Sequence, residues 1–282
     1  MKKTKTALGL VGGLGISNEE QLTLIAKNGF DGYFLSHGDI SELKRLKAHG
    51  DTLGLELGSI HAPFLRVDRL WHSPESAADA ENELISCVHT CAELEVPIMV
   101  SHVFIGFDRH EPNLSGISAF ERIAREAAKC GVQIAFENTE GEEYLEAVIA
   151  HLRRAPNVGF CYDTGHAICY NPNTDMLSRY GDRLIYTHIN DNLGVSDAAG
   201  NITWLDDLHL LPFDGVLDVE KCMSGIVKTG FEGTLSFELS VKSKPGRSEN
   251  DRYAEMGAEK YIAEAFLRAD RVREIFDREK QK

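Results

Sequence analysis

The chain has no run of apolar residues approaching the roughly 20 that a membrane-spanning helix needs, which excludes a helical membrane protein. It has no CxxC pair. Its six cysteines (Cys87, Cys91, Cys130, Cys161, Cys169 and Cys222) are scattered through mostly apolar surroundings, so neither a disulfide framework nor a thiolate metal site is expected. They read as reduced, buried residues of a cytoplasmic enzyme. Basic residues are also scarce: 30 Lys and Arg stand against 44 Asp and Glu, for a formal net charge of −14. Such a surface repels a phosphate backbone, which argues against a nucleic-acid partner. No GxGxxG turn follows a strand-like run, and Gly12-Gly13-Leu14-Gly15 has the wrong spacing for one, so a dinucleotide-binding sheet is set aside. The opening Met1-Lys2-Lys3-Thr4-Lys5 and the apolar residues after it have the outline of a secretion signal. However, Gly9, Gly12, Gly13 and Gly15 interrupt the run, no small-residue cleavage site follows, and a helical pattern starts at Ser17, so a first strand is the better reading.

What the sequence does contain is alternation. Short β-rich runs at 7–12, 32–36, 53–61, 97–104, 132–138, 158–163, 184–190 and 234–239 are separated by stretches with helical periodicity. The helical stretches include 18–27, 76–94, 117–129 and 142–151, and a last helix from near Asn250 past Phe266. Several stop at a glycine leading straight into the next strand, as at Gly29, Gly131 and Gly230, the residue type that best adopts the left-handed turn ending a helix. Eight such units without an internal linker predict a single (β/α)8 TIM barrel spanning residues 1–282.

Histidines and carboxylates recur where a barrel gathers its active site, at the C-terminal ends of these strands. His61 ends the third strand, His102 the fourth, Glu137 the fifth, Asp163 the sixth with His166 just beyond, His188 the seventh and Glu238 the eighth. Asp207 and His209 follow in the loop after the seventh. Taken singly, each is as easily a helix cap or an ion-pair partner. Six successive strands delivering such groups to one rim is different, because burying them together is costly without a cation. Imidazole and carboxylate donors without thiolates suit Mn, Zn, Co or Fe as the divalent metal, and suit Mg less well.

The motifs His61-Ala62-Pro63-Phe64, Phe136-Glu137-Asn138, Asp163-Thr164-Gly165-His166-Ala167, His188-Ile189-Asn190-Asp191 and the segment Asp207–Gly215 give the chain, over nearly its whole length, a resemblance to the xylose isomerase-like TIM-barrel superfamily. That superfamily includes sugar phosphate isomerases and epimerases, inosose dehydratases and type 2 AP endonucleases. The resemblance implies that Glu137, Asp163, His188 and Glu238 hold a central metal, with Glu137 and Glu238 as an acid/base pair acting on a metal-stabilised enediolate. It implies further that His61, His102, His166, Asp207 and His209 are additional metal ligands, as in the endonuclease branch, or substrate contacts.

Two departures narrow the match. The arginine that ketose 3-epimerases place shortly after the seventh-strand His is absent from His188-Ile189-Asn190-Asp191-Asn192-Leu193-Gly194, and the loops are neither long nor basic enough to suit an endonuclease.

The expected activity is therefore a metal-dependent isomerase or epimerase of a small-molecule sugar, sugar phosphate or keto-polyol. The alternatives are an AP endonuclease-like repair enzyme, an inosose dehydratase-like enzyme or keto-sugar lyase using the same site, and a carbohydrate-binding barrel without activity. Trp71, Arg109 and Lys242 are expected to touch substrate from the rim loops, and Lys242, Lys244 and Arg247 form a basic loop after the eighth strand that suits a phosphate. His37, His49, His89 and His151 are assigned no role, and a homodimer is expected from how such barrels pair.

Overall fold

The computed structural model describes residues 3–108 and 111–282. Strands β1 (Thr6–Gly9), β2 (Gly32–Ser36), β3 (Glu56–His61), β4 (Ile98–Ser101), β5 (Gln133–Glu137), β6 (Val158–Asp163), β7 (Leu184–His188) and β8 (Leu235–Phe237) are all parallel. The ladder runs in chain order from β1 to β7, with β8 beside β1. It closes between β7 and β8, where the Ile189 N–H donates to the Ser236 carbonyl at 2.7 Å and the Glu238 N–H to the Ile189 carbonyl at 3.3 Å. This is a single-domain (β/α)8 barrel, as the alternation predicts.

Around it lie α1 (Asn18–Asn28), α2 (Ile40–Thr52), α3 (Pro74–Glu93), α4 (Leu114–Lys129), α5 (Glu142–His151), α6 (Thr164–Cys169), α7 (Met176–Tyr180), α8 (Val219–Lys228), α9 (Asp251–Met256) and α10 (Ala258–Glu279). Local chemistry sets their limits. Ser17 and Glu20 form a reciprocal capping box at the start of α1, and Gly29 ends it at φ 105°. Asp39, Asn113 and Asp218 cap α2, α4 and α8 with side-chain oxygens. Among the described residues no helix is long and apolar enough to cross a membrane.

Some strands are shorter than the sequence pattern suggests. The run at 53–61 starts at Glu56 because α2 continues through Thr52 and turns at Gly54, φ 75°. The runs at 97–104 and 234–239 shrink to Ile98–Ser101 and Leu235–Phe237, leaving His102 and Glu238 one residue past their strands.

The strand period of two explains how the barrel carries its site. Ser59 lies two residues before His61, Val100 before His102, Ala135 before Glu137, Cys161 before Asp163, Tyr186 before His188 and Ser236 before Glu238. Both members of each pair face the barrel axis. The lower members are buried, and Val100, Ala135, Cys161 and Tyr186 form a small core cluster of their own, apart from the main core between sheet and helices. The upper members make a second layer that is almost wholly histidine and carboxylate.

Strands β1 and β2 contribute no such group. There Phe34 crosses the interior to stack on the His188 ring, with centroids 4.9 Å apart and planes 24° apart. A Cβ on Gly9 would sit 2.4 Å from the Phe34 ring, so the position admits only glycine unless Phe34 moves.

Candidate metal centre

Glu137 is fully buried and its carboxylate lies at the centre of the upper layer. Its Oε1 is 2.8 Å from His188 Nδ1, and its Oε2 is 3.3 Å from His61 Nε2 and 3.2 Å from His102 Nε2. Burial alone would raise its pKa, but His188, His102 and His61 outweigh burial and hold it well below the usual carboxylate value. Asp163, also fully buried, is pushed up to about 6 by burial, against the pull of His166. Glu238 joins them, its Oε2 3.3 Å from His188 Nδ1, but its side chain remains 27% exposed. One ligand atom from each of Glu137, Asp163, His188 and Glu238 lies within 4.8 Å of the others.

Three more groups of the same compactness adjoin this one: His61, His102 and Glu137; His166, Asp207 and His209; and Glu137 and His188 with the buried thiol of Cys161. All nine strand-end and loop residues singled out in the sequence thus come together in one buried cluster. A further group, His89 of α3, Glu126 of α4 and Cys130 just past the end of α4, lies on the outer helices and has no part in it.

The donors suit a divalent cation in more than type. His61, His166 and His209 each turn Nδ1 to a backbone carbonyl, of Ala62 at 2.8 Å, Asn138 at 2.9 Å and Glu238 at 3.1 Å. A ring that donates through Nδ1 presents Nε2 as the free donor atom, the arrangement typical of metal-binding histidine. Asp207 Oδ1 lies 2.9 Å from His209 Nε2 and 3.5 Å from His166 Nε2, yet it is buried and has no aligned hydrogen bond. His102 Nδ1 and His188 Nε2 are likewise buried without a hydrogen-bond partner. These residues fit a bound metal.

Asparagines and one further aspartate hold the cluster in place. Asn138 accepts the Asp163 N–H through Oδ1 at 2.8 Å and donates to the Asp163 carbonyl through Nδ2 at 2.9 Å. Asn190 donates to Asp163 Oδ2 at 2.8 Å, and a Cβ on Gly165 would sit 1.8 Å from Asn190 Oδ1. The buried Asp191 carboxylate accepts four backbone N–H groups, from Asn192 at 2.9 Å, Phe213 at 3.1 Å, Gly215 at 3.0 Å and Leu217 at 2.9 Å. It thereby folds the long loop that delivers Asp207 and His209. In that loop His209 (φ 51°) and Phe213 (φ 74°) adopt the left-handed region without being glycine, a cost these hydrogen bonds offset. The sequence motifs contain these Asn and Asp residues, but nothing in their type separates a framework role from a ligand role.

The rim differs from expectation. Trp71 is buried, not rim-facing: it is 2% exposed, its indole N–H donates to the Val103 carbonyl at 2.7 Å, and its ring packs on Phe120 and Tyr144. The exposed tryptophan is Trp204, with Lys244 Nζ 5.6 Å from its ring centroid. The basic loop is already neutralised, since Lys244 pairs with Asp207 at 3.2 Å and Arg247 with Asp206 at 2.6 Å and Glu249 at 2.8 Å. Lys242 stays exposed, with its stem beside Gly13 and its amine near Gly12. Arg109 lies outside the described residues.

The opening to the cluster is on the side where β1 and β2 bring no ligand. A cavity of about 630 Å³ there is lined by Gly9, Phe34, Ser36, His37, His209 and Glu238, among others. Of the four central residues, only Glu238 lines it.

The metal-free protein should show the cluster's protons in its stability. Burial works against charge on His209, but Asp207 outweighs burial and raises its pKa from 6.5 to about 9. A group raised on folding stabilises fully below its unfolded pKa and stops doing so as pH rises through the folded value. Chelator-treated protein is therefore expected to unfold at progressively lower urea concentration between pH 6.5 and about 9, and metal-loaded protein to lose this dependence because the cation replaces the protons. A flat urea midpoint across that window without metal would contradict the arrangement.

The sequence profile of the xylose isomerase-like TIM barrel family matches residues 22–265. The uncharacterized protein y4fM of Sinorhizobium fredii is 31% identical over 241 residues, 74% of this chain and 73% of the relative. A probable endonuclease 4 of Cenarchaeum symbiosum is 28% identical over 148 residues, 49% of this chain and 51% of the relative. Among solved structures, the IolI protein with a bound zinc atom superposes with a TM-score of 0.74 at 21% identity, covering 97% of this chain and 98% of that one. D-Psicose 3-epimerase with D-tagatose, from Clostridium cellulolyticum H10, gives 0.72 at 14% identity, covering 96% and 99%. At those identities the structural likeness is one of fold.

Proposed function

Because the chain belongs to the xylose isomerase-like TIM-barrel family, we propose that it is a metal-dependent isomerase or epimerase of a small carbohydrate. The observation that carries this reading is Glu238, which belongs to the four-residue cluster and also lines the cavity. Glu137, Asp163, His188 and Glu238 would hold a divalent cation, which would supply Lewis-acid stabilisation for the negative charge that grows on a sugar carbonyl oxygen when the neighbouring carbon loses its proton.

The residues divide the remaining work. Burial raises the Glu238 pKa, but His188 and His209 outweigh it, so the carboxylate is ionised and able to accept a proton from substrate in the cavity. Glu137 is the second member of the acid/base pair, and its oxygens are committed to His188, His61 and His102. Asp163 is fixed by Asn190 and by the His166 N–H, and serves as a ligand only. Delivering the proton to the neighbouring, former carbonyl carbon on the same face of the enediolate, while a proton passes from one oxygen to the other, moves the carbonyl along the chain, whereas epimerisation needs a proton returned to the original carbon from the opposite face. The single open carboxylate favours the first.

The test is proton exchange. Metal-loaded protein incubated in D2O with a panel of ketoses and keto-inositols is expected to place deuterium beside the carbonyl of at least one of them. A dehydratase or lyase using the same enolate chemistry would show itself by product loss in the same panel. The endonuclease reading is favoured by one observation, the two further three-residue groups of histidine and carboxylate, and by the relative named as a probable endonuclease 4. The net charge of −14 and the paired Lys244 and Arg247 oppose it. No deuterium in any sugar, together with nicking of abasic DNA, would decide for it.

A further inference from the structure

The loop after β8 carries three cations, and the fold engages two of them. Lys244 pairs with Asp207, and Arg247 with Asp206 and Glu249, whereas the Lys242 amine makes no ion pair or hydrogen bond among the described residues. The backbone of Lys242 is nevertheless held. Its N–H donates to Ser240 Oγ at 3.1 Å, while the Ser240 N–H donates to the His209 carbonyl at 3.0 Å and the Ser240 carbonyl accepts from Asn250 Nδ2 at 2.8 Å. The free cation is therefore tied to a histidine of the cluster.

Its side chain crosses the turn after β1, more than two hundred residues away in the chain. A Cβ on Gly13, whose φ is 98°, would sit 2.8 Å from Lys242 Cε and 3.3 Å from Cγ, and one on Gly12 would sit 3.8 Å from Nζ. The stem thus lies on a surface that a side chain at Gly13 would occupy, and the charge ends beside Gly12. Both glycines line the cavity of about 630 Å³, together with Ser240, His209 and Glu238. Their N–H groups donate to no acceptor among the described residues. The two carboxylates on the α2 side of the same cavity have other partners: Asp39 accepts the Glu42 N–H at 3.0 Å, and Glu42 accepts from Asn18 Nδ2 at 3.2 Å.

We propose that Lys242 and the Gly12-Gly13 turn beneath it form a subsite for a negatively charged group of the substrate, a phosphate ester or a carboxylate, with the reacting end of the same molecule at Glu238. This rests on the isomerase or epimerase reading and gives it a substrate class. An ammonium without an acid of its own and two unpartnered backbone N–H groups are the donors an anionic oxygen takes, and one charge-assisted hydrogen bond contributes about 10- to 100-fold in affinity.

Proton exchange by the metal-loaded protein in D2O tests this with ketohexoses of one configuration at a time, offered as the free sugar, the 6-phosphate and the 6-carboxylate, beside the keto-inositols. One of the two anionic forms is expected to exchange with the highest kcat/KM, and which one it is identifies the group. Lys242→Met keeps the stem over Gly13 and removes the charge, and is expected to lower the preference for the anionic form over the free sugar about 10- to 100-fold, chiefly through KM. Lys242→Arg is expected to keep most of that preference. Metal content is measured in each variant, so that a lost ion is not mistaken for a lost contact. A free sugar used as well as both anionic forms, a preference that survives in Lys242→Met, or exchange confined to the uncharged keto-inositols overturns the subsite and leaves the isomerase or epimerase reading standing. Exchange with no substrate of the panel overturns both.

Discussion

Replacing His188 with alanine is expected to leave the protein without tightly held metal and without measurable proton exchange on any sugar. His188 is fully buried and supplies the one nitrogen among the four central groups. The fall in affinity should exceed the roughly 10- to 100-fold that losing a mere outer partner costs. Stability should fall as well, because Glu137 Oε1 loses its closest cationic partner in a site closed to water, and breaking a buried pair on one side costs about 3–5 kcal/mol. Metal content after dialysis and the urea midpoint with and without added zinc measure the two effects. Full metal occupancy in the variant would remove His188 from the ligand set. Loss of metal with an unchanged midpoint would show that Glu137 is stabilised by His61 and His102 alone.

Replacing Glu238 with glutamine should separate chemistry from metal retention. The side chain is partly exposed and follows the end of β8, so the amide fits without disturbing the core. It can still offer an oxygen to a cation, but it cannot take a proton. Deuterium incorporation should drop about 10²- to 10⁴-fold, the usual worth of a positioned general base, with metal content much less affected. Glu137→Gln, by contrast, should lose metal and activity together, since both Glu137 oxygens are engaged with histidine. If Glu238→Gln exchanged protons at the unsubstituted rate, the base would have to be sought elsewhere on the cavity wall, with His37 and His209 the next groups there.

The barrel and its nine cluster residues were legible in the sequence because both depend on short-range regularities. Strand runs alternate with glycine-terminated helices, and a strand-end residue two places after an interior position faces the axis whatever the loops do, which accounts for six of the nine; His166, Asp207 and His209 lie beyond the strands and were read from the motifs that carry the family resemblance. What was not legible depends on contacts between distant segments. Trp71 read as a rim aromatic because it follows β3 closely, yet it packs under the rim against Phe120 of α4 and Tyr144 of α5. Lys244 and Arg247 read as free cations until the loop before α8 supplied Asp206 and Asp207 as partners. Asp191 entered the sequence reading only as the last residue of the motif His188-Ile189-Asn190-Asp191. Its four backbone hydrogen bonds, reaching as far as Leu217, show only in three dimensions. The loop beyond β7 depends on that residue, and sequence spacing gives no hint of it.

The bare stretch of the inner wall at β1 and β2, where Gly9 makes way for Phe34, gives the molecule a division of labour along its chain. The cluster is encoded from His61 onward, whereas most of the cavity wall comes from residues before Leu46. Changes to the early segment are therefore expected to reshape the cavity while leaving the nine-residue cluster as it is.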